Sequence, residues 1–147
     1  MAAIAVLAIV AGSGYALLAG GHHEWAAESA AGRVAADIEF AQSDAIARHE
    51  VRTVRFDTSG DAYFIVSEGA SIRHPMTNMS YRVEFAEQFP GAVVNLRDAA
   101  FGGADSLTFT ADGLCVAGGK VSIDVGERSW SVAVADHTGH ITVAQER

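Results

Sequence analysis

Residues 35–66 read AADIEFAQSDAIARHEVRTVRFDTSGDAYFIV, and the hydrophobic period changes inside them. In the first half, Ile38, Ala41 and Ala45 continue from Val34 at spacings of four, three and four. That is one apolar stripe of an amphipathic helix, with Arg33, Asp37, Asp44 and Arg48 assigned to its other faces. In the second half, VRTVRF and AYFIV flank Asp57-Thr58-Ser59-Gly60-Asp61, a run of turn formers, and the two read as a β-hairpin. A helix that enters a hairpin without a proline-rich linker predicts a helix packed on the sheet it leads into, through Val34, Ile38, Ala41 and Ala45.

Working toward the N-terminus, the helical pattern occupies residues 22–50, rich in Ala and Glu and free of proline. Gly32 weakens it by about 1 kcal/mol relative to Ala without changing the period. Before it, MAAIAVLAIVAGSGYALLAG carries no charge, and a helix from Met1 to Ala19 would reach ~28 Å, close to the hydrocarbon thickness of a bilayer. Ile4, Val6, Leu7, Ile9, Val10, Leu17 and Leu18 each favour insertion by roughly 0.3–0.6 kcal/mol, and the Gly and Ser residues oppose it, so the span is marginal. Ala8, Gly12, Ala16 and Gly20 recur every four residues and form a small-residue stripe suited to close helix–helix approach. Trp25 stands where an interfacial aromatic is expected.

Working toward the C-terminus, alternation recurs in SYRVEF, SLTFT, KVSIDV, SWSVAV and HITV, giving about seven short strands. The expected fold is α+β: a long N-terminal helix, transmembrane over residues 1–19 and amphipathic over 22–50. It packs on an antiparallel β-sheet or β-sandwich domain over 51–147. The stretch from Glu68 to Asn78 and FGGAD are expected to be irregular.

The formal charge is −8, with nine Arg and one Lys dispersed along the chain, which argues against nucleic acid as a partner. A single cysteine, Cys115, excludes an internal disulfide framework and a cysteine-based zinc site, and is expected as a buried small hydrophobe. His22-His23-Glu24 places adjacent histidines about 100° apart on a helix, which suits a polar juxtamembrane patch better than a metal site. Asp57, Ser59, Asp61 and Glu68 imitate a calcium loop, but Ala62 stands where the sharp turn needs Gly and strands flank the run, so a hairpin turn is expected. Asp136, His137 and His140 lack an accompanying nucleophile, and Gly102-Gly103 and Gly118-Gly119 lack the strand-to-helix context of a phosphate loop. These readings predict no catalytic residue, no metal and no cofactor.

The opening helix and hairpin of residues 35–66, followed by LTFTADGLCVAGGKVSI and VAVADHTGHITV, resemble the GspH/FimT-type minor pseudopilins of the type IV pilin-like family. The resemblance lies in a helix similar to the family's A-R-S-x-A-I-x-R form and a following strand similar to its V-x-V-x-F-D form. F-x-x-D-G, G-G and T-G landmarks follow in that order, and together they cover about Ala35 to Val143. It implies a pilin-like fold and a non-enzymatic minor subunit of a type II secretion pseudopilus or a type IV pilus. The implied location is the cytoplasmic membrane, crossed once, with the β-domain in the periplasm or on the filament surface. The implied partners are other pilin-like subunits and the inner-membrane assembly platform.

The family's basic leader, Gly-Phe processing site and early Glu do not precede Met1. The chain is therefore expected to start about ten residues into the family's hydrophobic segment, by an internal start codon or a truncation. A truncation would put processing, N-methylation and Glu-dependent docking in doubt. His140 stands where the family has a basic residue after T-G, and DHTGHITVAQER offers little to DNA. The alternative reading is a secreted β-sandwich binding module whose N-terminus is removed near Ala19-Gly20-Gly21 as a signal peptide. Intact-mass analysis of the exported protein separates the two: retention of the apolar helix is expected, and cleavage near Gly21 would favour the binding module.

Overall fold

The computed structural model describes residues 2–147, with side chains described from Glu24 onward. A single helix, α1 (Ala2–Arg48), leads into nine strands. It stops at His49, whose φ of 53° is left-handed. Glu50 N–H reaches Ala45 O at 3.2 Å and His49 N–H reaches Ile46 O at 3.4 Å, the paired bonds of a Schellman C-terminus.

The strands form two antiparallel sheets. The first is ordered β3-β2-β1-β6, built from β1 (Arg52–Asp57), β2 (Ala62–Ser67), β3 (Ala70–Ser71) and β6 (Ser106–Phe109). β4 (Arg82–Glu84) shares the free side of β2 with β3. The second is ordered β5-β7-β8-β9, from β5 (Val94–Phe101), β7 (Gly119–Val125), β8 (Arg128–Val134) and β9 (Ile141–Glu146).

Three elements differ from the sequence reading, one of them the two-residue strand β3, which pairs with the end of β2 inside the stretch from Glu68 to Asn78 expected to be irregular. The alternation of SYRVEF is real, since Tyr81, Val83 and Phe85 are all buried. The strand nevertheless covers only Arg82–Glu84, and Phe85 starts the short helix α2 (Phe85–Gln88). β5 has no counterpart in the expected strands. Its register against β7 slips between Leu96 and Asp98, and the bulge destroys the two-residue rhythm by which a strand is recognised.

α1 lies across both sheets, touching strands of each. Val34, Ile38, Ala41 and Ala45 are fully buried, together with Ala27, Ala30 and Ala31. They meet a core made from Val54, Ile65 and Leu107 of the first sheet and Val121, Ile123 and Val132 of the second. Phe56 and Phe101 stack with centroids 5.5 Å apart and so join β1 to β5 across the sheets.

Ile38 carries the largest aliphatic side chain on the buried stripe of α1. Ile38→Val should cost about 1 kcal/mol. Ile38→Asp, which buries a carboxylate without a partner, should cost about 4 kcal/mol or more. Thermal or urea unfolding of the two variants checks this, and equal midpoints for Ile38→Asp and the parent would refute the packing.

Candidate functional site

The candidate site is the surface of α1 itself, and its buried side contains an acid. Asp37 is only 5% exposed, where the sequence reading places it on another face. It accepts hydrogen bonds from Tyr63 Oη of β2 at 2.6 Å and Tyr81 Oη at 2.8 Å, and from Arg33 Nε one turn earlier at 3.0 Å. A buried carboxylate is tolerated only with such partners. The signal was available in the spacing: position 37 follows Val34 by three and precedes Ala41 by four, inside the stripe rather than beside it. Burial pushes the Tyr63 and Tyr81 phenols well above their ordinary pKa, and the neighbouring Asp37 charge pushes them further.

One turn and a half further on, Gln42 Nε2 donates to Gly113 O at 2.8 Å and Thr138 O at 3.1 Å, tying two loops to the helix. Both loops turn at glycines with left-handed backbone, Gly113 at φ 80° and Gly139 at φ 70°. A Cβ on Gly113 would sit 2.5 Å from Ile46 Cδ1, and one on Gly139 would sit 2.8 Å from Gln42 Nε2. The D-G and T-G landmarks are thus the places where loops pass tightly under α1.

The end of α1 is fixed by Arg52, which is 2% exposed. Its Nε donates to Asp44 at 2.6 Å, and its Nη1 donates to Glu50 and to Ser67 Oγ, each at 2.9 Å. Burial works against the guanidinium charge, but the bonds to Asp44 and Glu50 outweigh it and raise its pKa.

The opposite side of α1 is bare. Glu28, Gly32, Ala36, Glu39 and Ser43 are exposed at spacings of four, four, three and four. A Cβ on Gly32 would meet nothing within 4 Å. Ala8, Gly12, Ala16 and Gly20, and with them His22 and His23, lie outside the residues whose side chains are described.

The other residues singled out in the sequence take structural places. Asp57 accepts from the backbone N–H groups of Ser59 and Gly60 and from Ser59 Oγ, which lowers its pKa. Asp61 turns away to accept from Leu96 N–H at 2.7 Å, tying the hairpin turn to the bulged strand β5. Asp136 accepts from Gly118 N–H, and the backbone of His137 pairs with Cys115. Cys115 is buried, and desolvation raises its thiol pKa. Among the described residues no three His, Cys, Asp or Glu side chains converge on a metal position.

The helix is thus tied by polar contacts to the first sheet and to two loops that turn at glycines beneath it, and its outer side is exposed. The sequence matches the family of the type II transport protein GspH over residues 30–138. The chain belongs to the GspH family. The matched range runs from the buried Ala30 to Thr138, whose carbonyl meets Gln42.

No curated protein matches the chain in sequence. Among solved structures, it is similar to the minor pseudopilin EpsH from the type 2 secretion system of Vibrio cholerae. That match has 13% identity and a TM-score of 0.58, over 81% of this chain and 96% of that one. It is also similar to the type IV minor pilin FimU of Pseudomonas aeruginosa in two crystal forms. There the identities are 19% and 20% and the TM-scores 0.55 and 0.58, over 80% of this chain and 91% and 87% of those. At these identities the likeness is one of fold. GspH proteins are structural, membrane-anchored subunits. Among the described residues no helix is long and apolar enough to cross a membrane, and the side chains of Met1–Ala19 lie outside that set.

The Asp37 cluster makes two predictions. Asp37→Ala, which strands two buried phenols and Arg33, should cost about 3–5 kcal/mol, against about 1.5–3 kcal/mol for Tyr81→Phe. The phenols titrate higher in the folded chain than the value of ~10 for an exposed tyrosine. The stability they carry is therefore fully present below that pH and is lost as pH rises from there through the folded pKa values. Denaturant titrations of the parent should decline above pH ~10 and those of Tyr63→Phe/Tyr81→Phe should decline less. Parallel alkaline profiles would refute the linkage.

Proposed function

We propose that the chain is a minor subunit of a short helical filament, the pseudopilus of a type II secretion system or a type IV pilus. Met1–Ala19 would hold it in the cytoplasmic membrane as a single span, with the β-domain in the periplasm and later on the filament surface. The partners would be other pilin-like subunits and the inner-membrane assembly platform. A charge of −8 without a basic run supports protein rather than nucleic acid as the partner. The role is one of packing, not catalysis.

The observation that carries this reading is the division of α1 into two unlike sides. One is fully buried against the chain's own sheets, and on the other Glu28, Gly32, Ala36, Glu39 and Ser43 are exposed, a Cβ on Gly32 meeting nothing within 4 Å. Gly32 illustrates it: a glycine inside a helix costs about 1 kcal/mol relative to Ala, and nothing in the subunit requires it. A neighbouring helix passing closely would supply the reason. The same function is proposed for Ala8, Gly12, Ala16 and Gly20, which continue the small-residue theme toward the N-terminus.

Gly32→Ala should raise the stability of the isolated chain by up to about 1 kcal/mol. Ala36→Trp should leave it within about 0.5 kcal/mol of the parent, because the position is exposed. In cells assembling the filament, Ala36→Trp should deplete the subunit from the sheared filament fraction at least several-fold. Undiminished incorporation of Ala36→Trp would sink the packing role of this side.

A further inference from the structure

Part of the apolar surface that the core does not absorb lies where α1 leaves the β-domain. Trp25 is 64% exposed and Val93 is 71% exposed. Trp25 meets Phe89 edge-on with ring centroids 6.5 Å apart. Between the helix and the loop after α2, the residues Trp25, Ala26, Phe89, Pro90 and Ala92 line an open hollow of about 510 Å³. The loop is held in this position: Phe89 N–H bonds Phe85 O at 2.9 Å, Ala92 N–H bonds Phe89 O at 3.1 Å, and Phe85 is fully buried. The loop so held presents Val93 to solvent one residue past Ala92, the last residue of the hollow's rim, with Trp25 exposed across the hollow from it, and an apolar rim of this kind marks a surface suited to contact.

We propose that Trp25 and the Phe89–Val93 loop seat the β-domain on the headgroup layer of a zwitterionic lipid bilayer before the subunit enters a filament. The proposal rests on the membrane-anchored reading above. Trp25 follows Ala19 by six residues, ~9 Å along a helix, and the headgroup layer extends ~5–7 Å beyond the hydrocarbon on each side. A helix tilted by ~20°, the ordinary value for a membrane span, brings one flank of the attached head down to that layer. Tilt toward Trp25 and the Phe89–Val93 loop makes that flank the apolar one, with an amphipathic Trp of the kind that lipid interfaces favour.

Charge selects the headgroup. Glu28 and Glu87 are exposed near the patch, and Glu24 is paired with Arg128 at 3.5 Å. No Lys or Arg lies between Arg82 and Arg97 in the chain. An acidic rim disfavours anionic lipid and leaves apolar contact as the attraction.

The test reads depth at position 93 in the full chain. Val93→Trp is made in a Trp130→Phe background and read as the difference from Trp130→Phe alone, so that Trp25 stays in place and the difference reports position 93, Trp25 and Trp130 being the two native tryptophans. Trp130→Phe sacrifices no hydrogen bond among the described residues, where its buried Nε1 has no partner. The protein is reconstituted in phosphatidylcholine vesicles containing lipid brominated high on the acyl chain, its fold is checked by circular dichroism, and it is floated on a density gradient. The expected result is flotation with emission shifted to the blue and quenched at least two-fold by the brominated lipid. Replacing a third of the lipid with phosphatidylglycerol should leave that quenching unchanged or lower it. Flotation with water-like, unquenched emission would overturn the seating while leaving the anchor intact. A blue shift without bromine quenching would assign the surface to a protein neighbour, and stronger quenching in phosphatidylglycerol would overturn the headgroup assignment. Failure to float would remove the anchor and the seating together.

Discussion

The rotation of α1 about its own axis is the constraint on which the molecule depends, and the buried carboxylate of Asp37 sets it. Apolar packing alone is forgiving: Ala27, Ala30, Ala31, Ala41 and Ala45 present nearly smooth surface to the sheets. A helix lined with alanine has little shape with which to resist turning. Two phenols and a guanidinium directed at one carboxylate do resist it, because a turn of the helix would leave a charge and two hydroxyls buried without partners. Tyr63 belongs to β2 and Tyr81 to the segment just before β4, so the cluster fixes the helix against the first sheet. Gln42, through Thr138 and Gly113, fixes it against the loops that flank β9 and follow β6. With rotation set from both sides, Gly32, Ala36 and Ser43 face outward.

This arrangement separates two demands on one helix. Stability of the head is served by contacts of long sequence separation on the inner side, down to the Arg52 cluster that joins the end of α1 to β1 and β2. The outer side contributes almost nothing to the head's own stability. Substitution there can be selected for what it does between subunits, while substitution on the inner side is felt as unfolding. An exposed glycine in mid-helix belongs with the first kind of residue, and Ile38 with the second.

Much of this is legible in the residues. The stripe Val34, Ile38, Ala41, Ala45 and the hairpin around Asp57–Asp61 follow from period alone, since both elements are amphipathic and local. Asp37 is misplaced by the sequence reading because acidity outweighs position there. A charge inside an apolar stripe is a sign of a buried partner, and the partners, Tyr63 and Tyr81, stand 26 and 44 residues away where no local pattern reaches. β5 escapes recognition because the bulge at Leu96–Asp98 breaks the alternation that defines a strand, and that strand is held by long-range pairing with β7. The glycines of the D-G and T-G landmarks can be noticed in the sequence, but the helix side chains Ile46 and Gln42 that press on them are visible only in the fold.

The composition of the first nineteen residues fits the same division of labour. Seven strongly apolar side chains supply about 2–4 kcal/mol of insertion free energy, and the interleaved Gly and Ser residues return part of it. A segment meant only to stay in lipid gains from more leucine. Under the filament reading, the segment must also leave lipid for a protein environment, and a strongly apolar helix would resist that transfer. Small residues lower the attachment to lipid and at the same time permit the close helix contacts that replace it, because tight packing between backbones depends on the absence of bulk. Under that reading, the marginal hydrophobicity of Met1–Ala19, the spacing of Ala8, Gly12, Ala16 and Gly20, and the exposed Gly32 and Ala36 farther along would be one property of the helix: weak commitment to any single environment, with shape held ready for a second.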